Sequence, residues 1–181
     1  MPARGASRRA PVHVPRERAV VAWRYWGVAA DESGIFRLRS PFRATTWPVG
    51  EPFAAECFGS RLSLRSARER HDAPGAGCRC GVYGGKYREL RRFLTANVVL
   101  PQDAPVLGRT FLWGDVYEDD ISFRASFGYP ERLLVPTLLR SCHAIARDLE
   151  AYGAPVRVID VGETYGTLHP ETRVQLARVP R

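Results

Sequence analysis

Two long runs rich in aromatic and β-branched residues, VLGRTFLWGDVYE and ISFRASFGYP, lie on either side of an acidic turn at Asp119 and Asp120. Runs of that composition form strands, and a short turn between them forces antiparallel pairing, so a β-hairpin must carry part of the core. Gly108 and Gly114 interrupt the first run, which predicts bulges or close backbone approach in a strongly curved sheet. A second hairpin is expected earlier, where RAVVAWRYWGV and the alternating IFRLRS flank the turn AADESG. The clearest helix signal is PTLLRSCHAIARDLEAYG: Pro136 sits near its start, Leu139, Cys142, Ile145, Ala146 and Leu149 share one face with Leu138, and Gly153 stops it. GKYRELRRFL reads as a short amphipathic helix, APVRVIDVG as a last strand, and FAAECF is undecided between strand and helix. These elements give an α+β class: a small curved antiparallel sheet or partial barrel with one long helix near the C-terminus.

A chain of 181 residues has room for one core and little more. Residues 1–18, rich in Arg, Pro and Ala without periodicity, read as a disordered basic arm, residues 19–165 as a single domain, and 166–181 as a tail. The net charge of +8 invites a nucleic-acid reading. Two features weaken it: Lys86 is the only lysine, a bias that GC-rich coding produces by itself, and part of the excess sits in the arm. Arg24 interrupts the longest apolar stretch well short of the roughly 20 residues a membrane span needs. No signal peptide is legible either, so a reducing cytoplasmic location is expected, where thiols serve as ligands or core residues more often than as disulfide partners.

That expectation bears on HDAPGAGCRCGVYG. In extended chain, side chains two apart share a face, so Cys78 and Cys80 can present both sulfurs to one ion. Gly77 and Gly81 bracket the pair and allow tight turns and close amide approach to sulfur. Cys57 and His71 supply the remaining donors of a Cys₃His set, the type structural zinc takes, with thirteen, six and one residues between successive ligands. Other readings of the same residues stay open: buried free thiols, a disulfide from Cys57, an iron–sulfur cluster, and a His71 that merely caps the turn beside Asp72. Cys142 belongs to the helix core face and His143 to the surface. A catalytic zinc would need a nearby carboxylate, for which Glu56 and Asp72 are the candidates, yet three thiolates quench the Lewis acidity of the ion.

Aromatic residues recur on the expected strands and loops, with Trp23 and Trp113 assigned to the core. Arg43, Trp47, Arg79 and Tyr83 are the candidates for a surface that stacks on and pairs with nucleic acid or a protein partner. GVYGG lacks the lysine and hydroxyl of a phosphate loop, and no nucleophile elbow is present. The leading expectation is a zinc-stabilised, non-enzymatic binding or adaptor module. The rivals are a zinc-dependent hydrolase with Glu56 or Asp72 as general base, and an assembly protein recognised by oligomer formation.

Over residues 40–130 the segments TTWPVGEPFAAEC, HDAPGAGCRCGVYG and GRTFLWGDVYE carry a Trp-Pro-x-Gly, a cysteine, a His-x-Ala-Pro, a Cys-x-Cys-Gly-x-Tyr and a Leu-Trp-Gly. In these the chain resembles a group of small uncharacterised bacterial and phage-borne proteins of GC-rich genomes. The resemblance implies that Cys57, His71, Cys78 and Cys80 form one constellation and brings no activity with it.

Overall fold

The computed structural model describes residues 10–41, 45–57, 71–76, 78–87, 106–137, 139 and 141–160. Arg43, Gly77, most of the expected short helix and the C-terminal tail lie outside them. The described chain is mostly strand: β1 (Val12–Val14), β2 (Val20–Ala30), β3 (Phe36–Arg39), β4 (Phe53–Ala54), β5 (Val82–Gly85), β6 (Val106–Glu118), β7 (Ser122–Pro136) and β8 (Val156–Ile159). An α-helix, α1 (Cys142–Leu149), runs into a single 3-10 turn, Glu150–Tyr152.

The β6–β7 hairpin is the spine, paired from Leu107↔Leu134 to Glu118↔Phe123. Its register slips at Arg109/Thr110 and between Trp113 and Val116, beside the two glycines that predicted irregularity, and Gly114 holds a φ of 81° in the second bulge. The other edge of β6 pairs with β2 over Val106–Leu112 and then with β1 over Gly114–Val116. β2 continues past β6 into its own hairpin with β3, as the AADESG turn predicted. Along its outer edge β7 receives β5, β4 and, in parallel, β8. β5 also touches β2 through the single pair Trp23↔Gly85, so the sheet curls back on itself without forming a closed barrel.

Three expectations are corrected. Val12–Val14 is a strand and Arg16–Arg18 a 3-10 turn, so ordered chain begins inside the stretch read as an arm, because β6 outruns β2 and leaves an edge for β1 to pair with. The long helix is short: Pro136 ends β7 in register with Ile159 of β8, and α1 starts only at Cys142. Its buried face, Cys142, Ile145 and Leu149, is the face expected, and His143 is exposed. Trp47, expected to face a partner, is buried at 1% exposure.

Trp47 stacks on Phe53 at 4.8 Å and meets Trp26 edge-on at 5.6 Å, and its indole N–H donates to Ser40 Oγ. The loop around it is fixed because Tyr152 Oη donates to the Trp47 carbonyl and accepts from the Leu38 amide, tying helix end, loop and β3 together. Trp113 is buried as expected, whereas Trp23 is only half-buried and packs on Tyr87. The core therefore lies between the concave face of the sheet, the Trp47 loop and α1. Among the described residues, no helix is long and apolar enough to cross a membrane.

Candidate metal centre

β4 and β5 pair with the same edge of β7, one after the other. β4 leaves it at Ala54↔Phe127 and β5 joins it at Val82↔Ala125, with the Ala55 amide still bonded to the Ser126 carbonyl. The end of one strand therefore lies beside the start of the next, which brings Cys57 up to Cys78 and Cys80. Phe53–Ala54 of FAAECF is thus a two-residue strand, and residues 55–57 after it carry no regular element.

His71 completes the group: one ligand atom from each of Cys57, His71, Cys78 and Cys80 lies within 4.8 Å of every other. Cys57 Sγ and Cys78 Sγ are 3.7 Å apart, and His71 Nε2 and Cys80 Sγ 3.2 Å. A tetrahedral ion with metal–sulfur bonds of about 2.3 Å requires sulfur–sulfur edges of about 3.8 Å. A disulfide requires about 2.05 Å, so these sulfurs sit at ligand spacing and all of the cysteines are free.

Two glycines make the cage possible. A Cβ on Gly75 would come within 2.2 Å of His71 Nε2, and one on Gly81, whose φ is 131°, would strike the Arg124 side chain. The Gly75 amide donates to Cys80 Sγ at 3.3 Å, the kind of outer bond that offsets thiolate charge. Arg124, which sequence reading passed over, reaches across from β7 and donates to the carbonyls of Cys78 and Cys80, with its guanidinium 4.6 Å from the Tyr117 ring centroid. With a divalent ion on three thiolates, this one positive charge would bring the local sum near neutral. In the sequence Arg124 is one arginine among many on a strand, and only the β5–β7 register puts it under the cysteines.

Burial raises the Cys78 thiol, but hydrogen bonds from Cys80, Cys57 and His71 outweigh it and bring it down to about 7. Burial pushes the Cys80 thiol up to about 11, assisted by repulsion from Cys78 and Cys57. Without a cation the group keeps a proton at neutral pH, whereas a bound cation would replace it.

Arg79 points into solvent between the two ligands, and Tyr83, 41% exposed, donates from its hydroxyl to the Arg79 carbonyl. Both line an open groove of about 1020 Å³ that runs from the cysteines along β5 and β2. Glu56 is exposed in the same groove; Asp72 is exposed and not among the lining residues. Of the four candidate partner-binding residues, Arg79 and Tyr83 thus stand together, Trp47 is core, and Arg43 lies outside the described residues. Comparison of the chain with protein-family models, curated proteins and solved structures gives no match.

Proposed function

We propose that the protein is a metal-stabilised binding module, in which a structural zinc held by Cys57, His71, Cys78 and Cys80 fixes the wall of a groove that presents Arg79 and Tyr83 to nucleic acid or a protein partner. The observation that carries this reading is the convergence of four soft donors from three separate segments at tetrahedral spacing. Three thiolates and an imidazole suit zinc and disfavour calcium or magnesium, which take oxygen ligands. Four protein donors fill a tetrahedron and leave no position for water, the arrangement of a structural rather than a catalytic site. The hydrolase reading rests on Glu56, which lies in the groove next to Cys57.

Elemental analysis of the purified chain tests the metal: one zinc per chain, lost in Cys80→Ser, is expected, and a visible absorbance with iron would replace zinc by a cluster. Fluorescence anisotropy with a labelled single-stranded oligonucleotide tests the nucleic-acid partner. Binding weakened by Arg79→Ala supports it, and absence of binding leaves protein as the class. Loss of any measured hydrolysis in Glu56→Gln would move the assignment to the enzyme.

A further inference from the structure

The pleat of β2 turns Ala22, Arg24 and Trp26 to one face, and Ala22 and Trp26 are buried at 2% and 0% exposure. Arg24 therefore occupies a core-facing position. Its guanidinium lies 5.0 Å from the Trp47 ring centroid and 5.8 Å from that of Trp26, and one terminal nitrogen donates to the Tyr83 carbonyl. Nε is shut off from solvent without an acceptor, and so is Nε1 of Trp26. Among the described residues no carboxylate pairs with Arg24, although Arg109 is held by both oxygens of Glu131 at 2.6 Å and Arg37 and Arg147 each meet an aspartate. Burial lowers Arg24 to about 10.

Arg24 is half-buried, and a donor of its guanidinium shut off from water without an acceptor costs free energy unless something supplies the missing partner. Arg24 lines the 1020 Å³ groove, together with hydroxyls from Ser40, Thr45 and Thr46 and apolar surface from Phe53, Val82 and Ile121. A few polar groups converging on a mostly apolar cleft of this size is the usual build of a small-molecule site. Glu56 is the carboxylate in the lining, and its exposure leaves it screened by water.

We propose that the groove binds a small organic anion, whose carboxylate or phosphate is held by Arg24 while its apolar body lies along Phe53, Val82 and Ile121. The site shares the groove with the module described above and does not require the metal. Metal content and anion binding are read separately, so either assignment can fail alone.

The side-chain Nε–H resonance of Arg24, assigned in the nitrogen-labelled full chain with Arg24→Lys, is the direct readout. Titration with phenyl phosphate and with benzoate should shift it saturably, and the stronger of the two identifies the anionic group. Arg24→Met should weaken the preferred anion by about tenfold or more, followed by tryptophan fluorescence, and leave benzyl alcohol unaffected. If that variant does not fold, the wild-type resonance decides alone. No shift from either anion at millimolar concentration overturns the proposal. So does an equal response to benzyl alcohol.

Discussion

The two ends of β7 are held in different ways. At its C-terminal end Leu133 and Val135 pack with Leu38, Leu139, Ile145 and Leu149 in a continuous apolar cluster, and tyrosine hydroxyls tie the ends of the loops. At its N-terminal end the segments 55–57 and 71–81 contain Ala, Pro, Gly, Cys and His with Glu56, Asp72 and Arg79, and no Leu, Ile, Val, Phe, Tyr or Trp to bury. Water exclusion fixes the first region, at roughly 25 cal/mol per Å² of apolar area. The second has hydrogen bonds, Arg124 and four converging donors at metal-ligand spacing. One sheet thus carries an apolar core and, at its other end, a corner that we propose a metal ion holds in place.

Breaking the core should have the largest effect on stability. Trp47→Ala removes a fully buried indole and its two ring contacts, and a loss of about 3–5 kcal/mol is expected, read as a lower urea midpoint with all spectroscopic signals falling together. Cys80→Ser should act on the corner alone. Metal content falls towards zero, and the amides of Cys78 and Gly81 and the Gly75 amide lose protection from hydrogen exchange while those of β6 and α1 keep theirs. If β6 loses protection as well, the two regions are one cooperative unit and the contrast fails.

Acid sharpens the comparison from the side of the corner. The metal must displace a proton that burial holds on Cys80 up to about 11. Apparent affinity should therefore fall by at least about tenfold for each unit of falling pH, measured by competition with a chromophoric chelator, while the metal-free core shows no such slope. Arg124→Gln keeps the ligands and removes the charge beneath them, so metal affinity should drop by about tenfold in the same assay. The smallest effect is expected for Arg79→Ala: an exposed side chain, stability within about 0.5 kcal/mol of wild type in thermal melts, and any loss confined to partner binding.

Both hairpins were legible because alternation and turn composition are local signals, and the apolar face of α1 was legible because helical period is local too. Pro136 was misread for the same reason. A proline can open a helix or close a strand, and only the parallel pairing with β8 selects the second. Val12–Val14 gave no strand signal of its own, since what orders it is an unpaired edge supplied by a strand about a hundred residues away. Trp47 looked like a surface aromatic because its loop is rich in proline. Its burial follows from Trp26 and Phe53 closing on it from two other strands.

Residue chemistry by itself suggested the donor set: two cysteines one residue apart can share an ion, and Cys57 and His71 are soft donors able to complete it, beside readings as buried thiols, a disulfide or a turn-capping His71. Tertiary structure alone decided that they meet, through the succession of β4 and β5 on one edge of β7, and that Arg124 lies beneath them while Arg24 has no carboxylate partner among the described residues. Ligand type is a property of single side chains, whereas convergence and charge pairing depend on strand register, which non-local hydrogen bonds and burial select.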